Sequence, residues 1–257
     1  MGRRSTTTVD GTAVARTEPQ ERTTMTQAAV AALRDLIVLG EIPPGAPLRL
    51  EELSNRLKMS FSPIREAIRQ LEMTGFVTHA PYKGATVTRL SFEEMEAIYE
   101  TRLAIESVVV RRAATHFDEE NEARLQRILA ELDQAYRTRD RLRVVRGNTA
   151  FHVALASASG STWLERLVQQ VEDAWERYSA AVILIERPEE TFVEEARGHR
   201  AILEACQAGD ANAAEGALRE HLATWRDIFM RISVPGLLLK LDDGASFMAR
   251  HRASSAR

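Results

Sequence analysis

Three histidines and one asparagine are spaced so that helices could bring them to a single metal site. Asn148 and His152 are four residues apart, so they would face the same way from one helix. His199 and His221 lie on either side of Gly209-Asp210, a turn that would set two helices antiparallel and bring the two rings level. Three imidazoles and an amide oxygen suit zinc, nickel, cobalt or manganese. From spacing alone, histidines that are packed and hydrogen-bonded in the core of a helical bundle are the commoner explanation.

A second pattern lies between Ser60 and Arg69 and is typical of a helix that enters the major groove of DNA. Ser62 is the predicted N-cap residue and Pro63 the first helical residue. Arg65 and Arg69 share one face of this helix, where one guanidinium could read guanine while the other grips a phosphate. Taken alone, this pair is also compatible with an ordinary solvated helix face.

The flanking segments supply the elements that would position this helix. Upstream, residues 50–57 place three leucines on one helical face. Downstream, residues 76–79 and 85–88 alternate as two strands, and Lys83-Gly84 forms the tip of the hairpin between them. Helix, turn, helix and hairpin in this order predict a winged helix-turn-helix domain that binds double-stranded DNA.

The distribution of charge agrees with this prediction. The 257-residue chain has a net charge of −3. Residues 1–90 carry 12 Lys and Arg against 9 Asp and Glu, a net +3, whereas the remainder carries −6. Since only a basic surface displaces counterions from phosphate, the first part of the chain is the part expected to meet DNA.

Glycine and proline residues, together with changes in composition, mark boundaries that divide the chain into four parts. Residues 1–24 are expected to be a disordered arm, 25–90 the winged domain and 233–257 a C-terminal tail. Between them, residues 91–232 show long stretches of helical period and predict an all-α bundle of six or seven helices. The predicted helices are 25–40 in the winged domain and 91–116, 119–138, 141–158, 161–186, 190–208 and 211–232 in the bundle. The fold class is therefore mainly α.

Several classes of protein are disfavoured by composition. The chain has no apolar run of the length that a membrane helix needs, and its basic N-terminus precedes no apolar block of a secretory signal. Its single cysteine, Cys206, rules out an internal disulfide and fits a reducing compartment. A cytoplasmic protein without a membrane partner is expected.

Residues 25–90 resemble the GntR superfamily of bacterial regulators. The matching segments are Ile42–Leu48, Ser60–Ile68 and Gly75-Phe-Val. The resemblance implies that Ser62, Arg65, Arg69, Lys83 and Gly84 contact DNA. Phe61 departs from the pattern, because the family usually has a DNA-contacting arginine there.

The helical part resembles the effector-binding FCD domain of the FadR-like branch of this superfamily. Residues 100–106, 148–152 and the later histidines His199 and His221 carry the match. The resemblance implies a divalent metal, most readily zinc or nickel, on Asn148, His152, His199 and His221, with Asn148 in place of an aspartate. It also implies that Arg102 clamps a small organic acid, whereas the sequence alone offers a salt bridge from Arg102 to Glu106.

These observations together predict a transcriptional regulator and not an enzyme. It is expected to be a repressor that binds an inverted-repeat operator as a homodimer and responds to a small carboxylate, with metal assistance. One alternative is a regulator for which the metal ion itself is the signal. Another is a metalloenzyme on a helical bundle, which is disfavoured because no Glu-x-x-His pair of a di-iron bundle occurs at the histidines.

Overall fold

The computed structural model describes residues 19–80, 84–183 and 189–233, which form a small winged domain followed by a helical bundle. The predicted arm up to residue 18, the wing residue Lys83 and the tail after residue 233 lie outside these ranges. The elements are α1 (Pro19–Val38), α2 (Leu50–Leu57), α3 (Phe61–Met73), β1 (Val77–Ala80), β2 (Gly84–Val87), α4 (Phe92–Thr115), α5 (Glu119–Thr138), α6 (Arg141–Ala158), α7 (Thr162–Ile183), α8 (Glu189–Gln207) and α9 (Ala211–Ser233).

Apolar residues from α1, α3 and the wing form the core of the winged domain. Leu33, Ile64 and Phe76 have no exposed surface. Strands β1 and β2 pair antiparallel with Val77 opposite Val87, and Pro47 bridges to Thr86 on the other side of β2. This packing holds α3 with its polar face outward, as the winged helix-turn-helix prediction requires.

Two predicted boundaries in this domain are wrong. Helix α1 begins at Pro19, so residues 19–24, which composition places in a disordered arm, are helical. A nucleated helix extends through polar residues at little cost, which composition alone does not show. The N-cap of α3 is Ser60 and not Ser62, and no side chain caps it. Pro63 is therefore the third helical residue, which is allowed because the first-turn amides have no intrahelical acceptor.

The six bundle helices begin and end within a few residues of their predicted bounds, because capping side chains mark several of their starts. Ser91 Oγ accepts the amide of Glu94 at 3.1 Å. Asp118 and Asp140 cap α5 and α6 in the same way. A seventh helix would require one of the six predicted stretches to be broken, and none is divided within the described residues, which form six bundle helices. None of the described helices combines the length and apolarity needed to cross a membrane.

Glycine allows α8 and α9 to pack closely. A methyl group at Gly198 would lie 2.5 Å from His221 Nδ1, so a larger residue there would require His221 to shift. Cys206, near the end of α8, is fully buried among apolar side chains and is not disulfide-bonded. The two helices thus bring His199 and His221 into one interior.

The two domains are in contact through α1 and α7. Arg34 of α1 donates to Asp173 at 2.8 Å and is also paired with Glu176, both on α7. The same guanidinium lies 4.9 Å from the centre of the Phe76 ring. Arg146 of α6 pairs with Asp35 beside them. Two neighbouring residues of α1 therefore tie the DNA-binding domain to the bundle, Arg34 through α7 and Asp35 through α6.

Candidate nucleic-acid interface and buried histidine cluster

The outer face of α3 presents the residues predicted to meet DNA. Arg65 is exposed and makes no hydrogen bond or ion pair with any residue that the structure describes. Ser62 is exposed in the first turn, and Phe61 beside it leaves 46% of its surface in solvent. An apolar ring thus stands on this face where the GntR pattern has an arginine.

Arg69 lies one turn beyond Arg65 but is held by a carboxylate. Its Nη2 and Nε donate to Glu66 at 2.6 and 2.9 Å. Hydrogen bonds from Arg69 and Gln70 lower the pKa of Glu66 to about 2. Of the two arginines, Arg65 is therefore the one whose guanidinium is free to bind DNA without first giving up a partner.

Of the two wing residues predicted to contact DNA, the structure describes Gly84, at the start of β2. Its φ of +71° is a left-handed conformation that favours glycine, and no atom of the described residues lies within 4 Å of where a side chain would begin. An open, glycine-bearing tip of this kind allows close approach to a phosphate backbone. Lys83, its predicted companion, lies outside the described residues.

The three histidines predicted to share a site lie together in the bundle interior. His152 of α6, His199 of α8 and His221 of α9 are each at most 4% exposed. One nitrogen from each ring lies within 4.8 Å of the others. Asn148, one turn before His152, is equally buried, and its Oδ1 has no hydrogen-bond partner in the described part of the chain. The four predicted residues thus lie in one region of the core.

A carboxylate fixes the orientation of His152. Its Nδ1 lies 2.6 Å from Glu106 Oε2, so the ring donates from Nδ1 and keeps a lone pair on Nε2. That Nε2 is buried and has no partner among the described residues. A carboxylate behind a histidine in this way is the usual support of a metal-ligating imidazole.

The other two rings are held in the neutral form. Burial lowers the pKa of His199 well below its usual value, and the neighbouring His221 and His152 lower it further. Burial, followed by His152, does the same for the pKa of His221. Both nitrogens of His199 lack a partner within the described ranges. Neutral imidazoles with free lone pairs are the form that binds a metal.

Arg102 lies beside this cluster and is ion-paired. Its Nε donates to Glu106 Oε1 at 2.7 Å, which is the salt bridge that the sequence offered as one of two roles. Its Nη2 lies 2.5 Å from Glu172 Oε1, and the guanidinium is 4.9 Å from the Trp175 ring. With two carboxylates in contact, the arginine already has the charge compensation that a buried cation needs.

The two carboxylates that contact Arg102 have different pKa values, although burial acts upward on both. Burial raises the pKa of Glu172 to about 7, more than Arg102 and His152 lower it. For Glu106 burial also acts upward, but Arg102 and His152 outweigh it and bring the pKa down to about 2. Glu172 is therefore the weakly held member of the group, and neither of its oxygens makes a hydrogen bond to a described residue.

Glu172 is the residue of this site that sequence reasoning missed. It lies on α7 one turn after Val168 and three residues before Trp175, both of which are buried. A glutamate at an inward position of an apolar face was the available signal, because a buried carboxylate requires a cation nearby. Its contact with Arg102 joins two different helices, α4 and α7, and could not be derived from spacing.

A winged helix-turn-helix joined to an all-α bundle defines a DNA-binding transcriptional regulator, and comparison with known proteins agrees. Residues 25–87 match the gntR family of bacterial regulatory proteins, and residues 97–224 match the FCD domain. The chain belongs to the gntR family, with an FCD domain as its C-terminal part. It is a regulator and not an enzyme.

Similar proteins bear the same description. The chain is 32% identical to the uncharacterized HTH-type transcriptional regulator BphR of Paraburkholderia xenovorans, over 74% of this chain and 79% of that protein. It is 28% identical to the probable D-xylose utilization operon transcriptional repressor of Paenarthrobacter nicotinovorans, over 78% and 89%. The solved structure of E. coli McbR/YncC has the same fold, with a TM-score of 0.71 at 24% identity over 80% of this chain and 97% of that one.

Proposed function

We propose that this regulator is a repressor that binds an inverted-repeat operator as a homodimer and is controlled by a small organic acid bound on a divalent metal. Its relatives include repressors, such as GlaR of E. coli at 27% identity over 75% of this chain. They support repression of transcription rather than activation. Two copies of α3, one turn of DNA apart, are the usual way for such a domain to read an inverted repeat.

The observation that carries the metal proposal is a buried group of acceptors without donors. Asn148 Oδ1, His152 Nε2 and the lone-pair nitrogen of the neutral His199 ring are all buried and unpartnered within the described residues. Buried polar atoms are normally satisfied, and lone pairs that converge in this way are satisfied by a cation. Three imidazoles favour zinc or nickel, with cobalt or manganese less favoured because the amide of Asn148 brings no charge.

The acid would bind between the metal and Arg102. A carboxylate that ligates the metal adds a negative charge beside Arg102, and it would compete there with Glu172, the weakly held carboxylate. An acid that can chelate, such as a 2-hydroxy acid, fits an open metal position better than a simple monocarboxylate.

Helix α7 offers a route from this site to the DNA-binding domain. Glu172 faces the cluster, whereas the next residue, Asp173, and Glu176 one turn on hold Arg34 of α1. A displacement of Glu172 from Arg102 would therefore act on the helix that anchors the winged domain. The relative position of two such domains sets the half-site spacing that a dimer can span.

The test is the metal content of the purified protein together with that of His199→Ala. We expect about one transition metal ion per chain in the natural protein and far less in the variant, with an unchanged helical signal. His116→Ala is the control, because His116 is exposed at the end of α4. Equal metal content in all three proteins, or a His199→Ala variant that unfolds, would favour a core histidine over a ligand.

The role of the acid is tested by operator binding in three states of the protein: metal-free, metal-loaded, and metal-loaded with a 2-hydroxy acid such as lactate or malate. Release of DNA only in the third state supports control by an acid. A change on adding the metal alone would instead identify the ion as the signal.

A further inference from the structure

A second buried arginine lies at the junction of the two domains, away from the histidine cluster. Arg177 of α7 has 4% of its side chain exposed. Its Nη2 donates to Glu94 Oε1 at 2.7 Å. Its Nε and Nη1 are buried and have no partner among the described residues. Unlike Arg102, which contacts two buried carboxylates, Arg177 has two donor atoms left over.

Its carboxylate partner is also shared. Glu94 is 40% exposed, and its second oxygen accepts from the hydroxyl of Tyr178. The negative charge that faces Arg177 is thus spread over two donors and partly solvated. The guanidinium retains the capacity to bind a further anion.

Arg177 lines a cavity between the domains. The cavity has a volume of about 30 Å³, which is room for roughly two water-sized groups, and it opens to solvent. Its walls come from α1, the wing and α7 and are largely apolar, with Val38, Phe76, Val87 and Ala181 among them. Thr88 also lines it, and the Thr88 hydroxyl is buried without a partner in the described part of the chain.

We infer that this cavity binds a small monocarboxylate, such as propionate. The carboxylate group, whose two oxygens match the room for two water-sized groups, accepts hydrogen bonds from Arg177 and Thr88, and the short aliphatic chain extends through the opening along the apolar rim. An amphiphilic anion satisfies both properties of the site, because the free donors need negative charge and the walls offer an inorganic ion little contact.

The site is independent of the proposed metal-bound effector and uses different residues. Since its walls come from both domains, an occupant would contact the DNA-binding domain and the bundle at once. The acid therefore acts as a ligand of the junction itself, and its binding alters the affinity of the protein for DNA.

Calorimetric titration of propionate into the full-length, chelator-treated protein tests the inference. We expect saturable binding that weakens about tenfold or more in Arg177→Gln, the loss expected for a hydrogen bond to a charged group. Arg146→Gln is the matched control, because Arg146 also pairs across the junction but does not line the cavity. Binding by the chelated protein separates this site from the metal site.

Ala181→Leu provides a second variant that keeps Arg177 and fills the cavity from α7. Loss of propionate binding in this variant, with unfolding unchanged, supports the location. Equal propionate binding in all variants would overturn the inference, and so would the absence of saturable heat on titration. The cavity would then be occupied by ordered water. Titrations with chloride and phosphate test whether the site selects a carboxylate over an inorganic anion. Affinity for these ions equal to that for propionate would overturn the carboxylate assignment.

Discussion

Arg65 and Arg69 of α3 are chemically alike and one turn apart, but their surroundings differ. Arg69 is held by Glu66, so on DNA it must exchange one carboxylate for a phosphate, and the net gain is small. Arg65 has no such partner in the described chain. Base recognition is therefore expected to depend mainly on Arg65.

Replacement of Arg65 by alanine should weaken operator binding by roughly 1–3 kcal/mol and relax the preference at one base pair. Fluorescence anisotropy with operator and scrambled duplexes at fixed salt measures both effects. Arg124→Ala, which removes an exposed arginine from α5, serves as the control for net charge. Unchanged discrimination in Arg65→Ala would show that α3 does not read bases.

At the scale of the element, the close approach of α8 and α9 is the feature most open to test. Gly198→Ala would place a methyl group 2.5 Å from His221 Nδ1, and overpacking of this kind typically costs about 1–3 kcal/mol. We expect lower stability in urea and a lower metal content, because His221 must move.

A matched control lies on α9 itself. No atom of the described residues lies within 4 Å of the point where a Cβ atom of Gly216 would lie, so Gly216→Ala should stabilise the protein by about 0.5–1 kcal/mol through helix propensity. If the two variants were equally stable, α8 could not be packed as tightly on α9 as the Gly198–His221 contact requires.

Helix boundaries in the bundle could be predicted because they depend on local chemistry. The bounds 119–138 and 141–158 match the structure, and Asp118 and Asp140 cap these helices with their own side chains. The Arg102–Glu106 pair follows from a four-residue spacing on one helix. The contact of Glu172 with Arg102 could not be predicted, since it depends on how α7 packs against α4. The roles of the histidines as ligands stay a prediction.

At the scale of the whole molecule, Arg34 carries the junction between the domains. Burial raises the pKa of Glu176, and the hydrogen bond and charge of Arg34 oppose this rise. Arg34→Gln would remove the hydrogen-bonded cation from this buried carboxylate, at a cost of about 3 kcal/mol where the carboxylate is ionised.

The loss of stability in Arg34→Gln should depend on pH and be larger at high pH than at low pH. Without Arg34 the pKa of Glu176 rises further above its unfolded value, so the folded state binds a proton more readily than the unfolded state. The free energy of unfolding of Arg34→Gln should fall furthest below that of the natural protein above the pKa of Glu176 in the folded variant. This difference should shrink as the pH falls through that pKa. Urea unfolding at several pH values measures this, and Arg34→Gln/Glu176→Gln should recover most of the loss. A deficit that does not vary with pH would argue against this origin.

Cys206 gives the molecule a built-in reporter of its own opening. Burial raises the pKa of this thiol to about 12, so the folded protein holds almost no thiolate to react with an alkylating reagent. Modification then requires α8 to open, and its rate follows the population of open molecules. Any ligand that binds only the closed form slows the reaction in proportion to its binding, so alkylation of one natural side chain can rank candidate metals and acids before their targets in the genome are known.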